Sequence, residues 1–299
     1  MEDRIFVENG HTNTEKKTGI GARIGYFFLS WTPLIASFVL QLGLAFIYML
    51  VKSVGAMVFF LVTHPEASEM EAMIVYERAL YDSLSGGVIL YHVLSIPIFA
   101  LWYYFGCKRP KMKQSFKNLS LQAIVIAVLG GVVMSLLANG IVGMQQYLIP
   151  DVVEAYVESM ESIQIDTNIW MILTSVLLAP VGEELLCRGI ILYYGEKALP
   201  KFWMANVLQA LMFGIMHFNW VQGIYAFCIG LFLGHLKKRY RSIIPCMLLH
   251  LVVNLLSALG FGMVFAYLPE SFFTYLGVTI LTVVAAIGMV AYGFRKKSS

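Results

Sequence analysis

The sequence predicts an all-α, polytopic membrane protein with about eight transmembrane helices around a polar cavity in the core. Hydrophobic residues make up 59% of the chain and charged residues only 13%, whereas about 25% of a typical soluble domain is charged. The mean hydropathy is +0.75, and several apolar runs reach the roughly 18 residues that a membrane helix needs. The cavity is expected because one apolar run contains adjacent carboxylates and an arginine, which are costly in hydrocarbon.

Eight apolar segments follow one another along the chain. We interpret the first as one helix that continues past the membrane and serves as an uncleaved anchor. Residues 1–23 are polar and mixed in charge, unlike a cleavable signal peptide. We therefore expect an N-terminal tail, 1–23, followed by one membrane-embedded domain, 24–299. The predicted segments are 24–51 (with an apolar extension to 62), 86–106, 119–143, 168–195, 203–218, 221–236, 243–266 and 271–293.

Basic and acidic linkers alternate between these segments. The linkers after segments two and six, and the C-terminal tail, are basic, whereas those after segments one and three are acidic. Basic linkers stay in the cytoplasm, so the alternation predicts an even number of spans and two cytoplasmic termini. The acidic linkers are expected to be solvated outer loops, with cation or cationic-peptide sites as the alternative.

Polar groups recur at similar depth in three apolar segments. The fourth segment contains Glu183-Glu184-x-x-x-Arg188, and the fifth and seventh contain Phe213-x-x-x-His217 and His250-x-x-x-Asn254. Counted from the basic ends at about 1.5 Å per residue, the ionisable groups and the asparagine fall within one slab of roughly 10 Å. Packing alone gives no reason for such convergence, so we interpret the set as a functional site.

The spacing suggests roles for these groups. Glu184 and Arg188 are four residues apart in the order that favours an ion pair, while Glu183 is rotated by about 100° and keeps a free carboxylate. Pro180 and Gly182 are expected to interrupt the helix, as in helices that line cavities.

Taken with the other two motifs, the free carboxylate suggests hydrolysis of an amide by water. Glu183 and His217 would activate the water, and His250 and Asn254 would stabilise the oxyanion.

Other polar or reactive residues in the apolar segments have simpler interpretations. His92 and His235 are expected to be hydrogen-bond partners between helices. Cys187 is expected to pack, and the spacing of the four cysteines favours neither disulfides nor a cysteine metal site.

The three motifs, in this order on the fourth, fifth and seventh segments, resemble the CPBP (Abi) family of CAAX prenyl endoproteases and bacteriocin-processing or self-immunity proteins. The resemblance covers about 170–260. It implies an intramembrane glutamate-type endopeptidase in which the first glutamate and first histidine activate water while the second histidine and the asparagine hold the oxyanion. The expected catalytic set is Glu183, Glu184, His217, His250 and Asn254, with Arg188 and Phe213 in support.

Alternatives to a peptidase remain open at this point. A non-proteolytic immunity protein or a scaffold for a sensor kinase or transporter would keep the polar core for specificity, and a proton- or ion-coupled transporter would use it as a relay. Many transporters contain an internal structural repeat, and this sequence shows no visible one.

We expect no cofactor, although Glu183, His217 and His250 are residue types that bind zinc. The expected partners are a peptide or membrane-protein substrate, the lipid bilayer and a membrane-protein partner, without nucleic acid, in a bacterial plasma membrane.

Overall fold

The computed structural model describes residues 19–107, 119–162 and 168–295, and these ranges form helices without strands. The predicted all-α class is therefore confirmed. The helices are α1 (Ile20–Thr63), α2 (Glu69–Gly106), α3 (Leu121–Leu148), α4 (Pro150–Ser162), α5 (Ile169–Ala198), α6 (Phe202–Ile215), α7 (Trp220–Tyr240), α8 (Ile244–Ala258) and α9 (Phe272–Arg295), with a 3-10 helix at Phe261–Tyr267.

Helices α1 and α2 form a long antiparallel hairpin. α1 is one helix of 44 residues, about 66 Å at 1.5 Å per residue, so it continues well beyond a hydrocarbon core of about 30 Å, as predicted. α2 begins with a capping box, in which the Ser68 backbone N–H donates to the Glu71 carboxylate at 2.8 Å. A hydrogen bond of 2.6 Å between the hydroxyls of Ser37 and Tyr91 joins the two helices.

The number of membrane spans differs from the predicted eight. In the described ranges, five helices are long and apolar enough to cross a membrane, or six if α8 and the 3-10 helix, bent by 58°, form one span. α6 has only 14 residues, about 21 Å, and the apolar run of α7 between Gln222 and His235 has only 12. The chain is a multi-pass membrane protein, but α6 is short and α8 is bent against the 3-10 helix, whereas α5, which carries the first motif, is long enough to span.

The acidic linkers are not the solvated loops that their composition suggested. The first leads directly into α2, which already begins at Glu69, and most of the second forms α4. α4 is amphipathic, because Val153 is buried at 7% exposure while the carboxylates of Asp151, Glu154 and Glu158 are exposed. The basic linker 108–118 and Asp166 lie outside the described residues.

The core lies around the middle of α5. Leu186, Cys187, Ile190 and Ile191 are fully buried and pack among residues of α1, α2, α6 and α7. α6 and α7 approach closely at two glycines, where a Cβ added to Gly214 would lie 2.7 Å from the backbone oxygen of Gly223. The apolar side chains of α1 and α9 are mostly exposed, as expected for helices that contact lipid.

Candidate active site

Helix α5 carries the first motif between two π-helical stretches. These stretches, Thr174–Leu178 and Leu185–Ile191, flank an α-helical turn at Ala179–Glu184. The helix therefore has wider, π-helical turns on either side of Pro180 and Gly182. It does not break at these residues, contrary to the expected interruption. Proline has no N–H to continue the α pattern, which accounts for the wide turn before it, and π-helical turns are frequent at functional sites.

Glu184 is the centre of a buried polar cluster. Its Oε1 accepts a hydrogen bond from Arg188 Nη1 at 2.9 Å, and both side chains are fully buried, so the predicted ion pair is confirmed. The same oxygen lies 3.0 Å from Nδ1 of His250. A carboxylate only accepts here, so His250 donates from Nδ1. Glu184 thus has a second partner that its spacing to Arg188 did not reveal.

Glu183 points to a different place, as its rotation along the helix predicted. Its Oε2 lies 3.7 Å from Nε2 of His250, and its side chain keeps 14% exposure. Within the described residues this buried oxygen has no hydrogen-bond partner. Glu183 therefore has a partly exposed carboxylate whose Oε2 makes no hydrogen bond to a described residue.

His217 follows the end of α6, in a turn where Phe218 adopts a left-handed conformation with φ of 51°. The ring of Phe218 contacts Phe38 of α1, with centroids 4.2 Å apart, which stabilises this uncommon backbone. Nδ1 of His217 lies 2.8 Å from the carbonyl oxygen of Phe213. Since a carbonyl only accepts, Nδ1 carries a proton, and Nε2 of the neutral ring is an acceptor.

Asn254 is held by the first π-helical stretch. Its Nδ2 donates to the carbonyl oxygen of Ser175 at 2.8 Å. An amide nitrogen has two protons, so this bond orients the side chain and leaves one N–H for another acceptor.

The ring of Phe213 joins the three motifs. The guanidinium of Arg188 lies 4.3 Å above its centre, and its edge-to-face contacts with His217 and His250 have centroid distances of 5.1 Å and 5.6 Å. A cation over an aromatic face is attracted by the ring quadrupole, by about 2 kcal/mol where water is excluded. Phe213 therefore supports both the arginine and the two histidines.

Four of the predicted catalytic residues line one cavity of about 560 Å³. These are Glu183, His217, His250 and Asn254. Phe213 also lines the cavity, whereas Glu184 and Arg188 lie behind His250 and do not. The cavity thus combines a carboxylate, an acceptor nitrogen and potential N–H donors, which is a set of groups suited to activating water and holding an oxyanion. No three His, Cys, Asp or Glu side chains in the described ranges are placed to hold a metal ion.

Helix α4 and His92 also contribute to this cavity, which the sequence did not predict. α4 lines it with Tyr156, Val157, Met160 and Glu161. His92 was expected to bond a neighbouring helix, but its Nδ1 lies 2.9 Å from the carbonyl oxygen of Val88 on its own helix. The expectation is correct for His235, whose Nδ1 lies 3.1 Å from Nδ2 of Asn206 on α6.

Residues 165–256 match the family described as type II CAAX prenyl endopeptidase Rce1-like. No curated protein and no solved structure matches the chain. The family match contains all three motifs and confirms the resemblance that they carry.

Proposed function

We propose that this chain is a glutamate-type intramembrane endopeptidase, because its residues 165–256 match the type II CAAX prenyl endopeptidase Rce1-like family. The observation that carries the proposal is the meeting of Glu183, His217, His250 and Asn254 in one cavity. They come from three helices, and each has the hydrogen-bonding capacity that its role requires.

In the proposed reaction, water binds between Glu183 and His217. The carboxylate of Glu183 takes a proton from the water while the water oxygen attacks the carbonyl carbon of the scissile amide. Nε2 of His217 accepts a hydrogen bond from the water's other proton and orients it. The tetrahedral intermediate then collapses, the C–N bond breaks, and Glu183 returns the proton to the departing amine.

The oxyanion is held by Asn254 and His250. Asn254 supplies the N–H that its bond to Ser175 leaves over. His250 must carry a proton on Nε2 as well as the one it donates from Nδ1 to Glu184. With His250 doubly protonated, its charge and that of Arg188 balance the carboxylates of Glu183 and Glu184. Glu184 and Arg188 therefore act through His250 and do not touch the substrate.

The proposal also covers the domain organisation, the membrane topology and the partners of the protein. We propose that 24–299 is one peptidase domain in a bacterial plasma membrane, preceded by the tail 1–23, of which 1–18 lie outside the described residues. Both termini would be cytoplasmic. The substrate is a peptide or membrane protein, and a membrane-protein partner fits the same surroundings.

The test is cleavage of a farnesylated fluorogenic peptide ending in Cys-aliphatic-aliphatic-Ser, alongside comparison of the terminal peptides of membranes from cells that express each variant. Glu183→Gln should abolish cleavage while the protein remains folded in the membrane. Glu158→Gln, a matched change at an exposed carboxylate of α4, should have no effect.

Undiminished cleavage by Glu183→Gln would contradict the proposal. If no substrate of the wild type is found and Glu183→Gln keeps the cellular phenotype, the alternative of a non-proteolytic immunity protein or scaffold is favoured.

A further inference from the structure

The cavity has two sides of different origin. The proposed reactive groups belong to the family-matched segment 165–256, whereas much of the facing wall comes from α1, α2, α3 and α4. The polar side chains on that wall therefore lie outside the part of the chain that the match describes. Two of them, His92 and Asn139, share one arrangement.

The ring of His92 donates one hydrogen bond and has a second nitrogen that can accept one. Its Nδ1 lies 2.9 Å from the carbonyl oxygen of Val88, so the neutral ring is protonated there and Nε2 is an acceptor. Ser95 and Ile96, one turn further along α2, contact the helix turn beside Glu183, since a Cβ added to Gly182 would lie 3.7 Å and 3.5 Å from them. His92 therefore lies one helical turn from the part of α2 that packs beside Gly182, and it lines the same cavity as Glu183.

Asn139 on α3 repeats this arrangement. Its Nδ2 donates to the carbonyl oxygen of Ser135, four residues earlier, at 2.8 Å, and the carbonyl oxygen of its side chain remains an acceptor. Both residues line the cavity, and the side-chain oxygen of Asn139 lies close to Gly262 of the 3-10 helix. The wall thus carries residues with a remaining acceptor in the same cavity as the N–H donors proposed for His250 and Asn254.

This polarity fits an extended peptide and does not fit a helix. A transmembrane helix satisfies its N–H groups internally, whereas an unwound segment exposes N–H and C=O groups that need partners once water is excluded. Resting on the proposed function, we propose that the α2–α3 wall binds backbone N–H groups of a substrate segment unwound into an extended conformation, through Nε2 of His92 and the side-chain oxygen of Asn139. His92 and Asn139 are therefore substrate-binding residues.

The test pairs changes in the protein with changes in the peptide. In the farnesylated peptide, each backbone N–H is methylated in turn, and its affinity for Glu183→Gln protein is measured by fluorescence anisotropy. His92→Asn keeps a donor for the Val88 carbonyl, but its side-chain oxygen is too close to the backbone to reach the position of Nε2, while His92→Gln returns an amide to that place. His235→Asn is the matched control, because His235 is also a partly buried helical histidine whose Nδ1 lies 3.0 Å from the carbonyl oxygen four residues earlier, but it does not line this cavity.

We expect methylation at one position to weaken binding to the Glu183→Gln parent about fivefold, the size of one net hydrogen bond. That penalty should disappear in His92→Asn, return in part in His92→Gln, and stay unchanged in His235→Asn. Asn139→Leu should remove the penalty at a different position. Identical methylation profiles in the parent, His92→Asn and Asn139→Leu would overturn the inference.

Turnover by protein that retains Glu183 separates this inference from the proposed function. His92→Asn should raise KM about fivefold and leave kcat within about twofold, and a fall in kcat alone would contradict a binding role. A peptide that binds with the expected profile but is never cleaved would contradict the peptidase and leave the inference standing. A peptide that does not bind at all would contradict both.

Discussion

Replacing Arg188 by methionine should destabilise the protein strongly, because it leaves the carboxylate of Glu184 buried without its main counter-charge. Both side chains are fully buried and 2.9 Å apart. Removing one partner of such a pair costs about 3–5 kcal/mol. His250 still lies 3.0 Å from the same oxygen, so we expect the lower end, about 3 kcal/mol of unfolding free energy. Methionine fills much of the volume, which limits the contribution of a cavity.

The assay is unfolding in detergent, followed by circular dichroism, for three variants. The double variant Glu184→Gln/Arg188→Met should lose less than half as much stability as Arg188→Met, because no charge is left unpaired. Lys238→Met is the matched control, since Lys238 also pairs at 2.9 Å but is half exposed, and such surface pairs contribute about 0–1 kcal/mol. An Arg188→Met protein as stable as Lys238→Met, or a double variant less stable than the single one, would refute the reasoning.

Four further predictions concern the oxyanion site, topology, metals and packing. Asn254→Asp should lower kcat by about a hundredfold or more, because it replaces an N–H donor with a negative charge; near-normal turnover would exclude the proposed role. Cysteines introduced at 115, outside the described residues, and at Ser159 should react with an impermeant reagent from the cytoplasmic and outer sides respectively, and labelling from one side would contradict the topology. Activity should survive prolonged chelation, with less than one zinc per chain by elemental analysis; zinc-dependent loss and recovery would make Glu183, His217 and His250 ligands. Gly214→Ala should lower the melting temperature, since its Cβ would meet Gly223, whereas Gly43→Ala, with no atom within 4 Å of its Cβ, should leave it equal or higher.

What could be predicted from the sequence was local or set by chemistry. The pair Glu184–Arg188 follows from a spacing of four on one helix, and the continuity of α1 follows from the parity of the charged linkers. The site followed from the cost of charge in hydrocarbon, which leaves few explanations for Glu183. Each of these inferences needs only the residue types and a helical repeat.

What could not be predicted depended on how helices pack and widen. The π-helical stretches of α5 arise where backbone hydrogen bonds join residues five apart, and residue types do not determine where this happens. From the sequence alone, Pro180 therefore suggested a break in the helix. α4 was taken for a loop because of its carboxylates, although Val153, Tyr156, Val157 and Met160 recur at helical spacing and signal a buried face. His92 gave no local signal, because lining the cavity depends on the packing of α2 against α5.

The π-helical stretches allow α5 to change in length without moving its site. Each stretch accommodates additional chain within a turn, so removing one residue from Thr174–Leu178 would allow the backbone to relax into an ordinary α-helix. Because a π-helical turn contains about one residue more than an α-helical turn, the turns that follow would keep nearly their original direction. In contrast, removing Val181 from the α-helical turn Ala179–Glu184 would rotate Glu183 and Glu184 by about 100° relative to the preceding turn. Single-residue deletions should therefore be tolerated better in Thr174–Leu178 than at Val181, and deletion scanning across α5 would locate the turn that fixes the direction of both carboxylates.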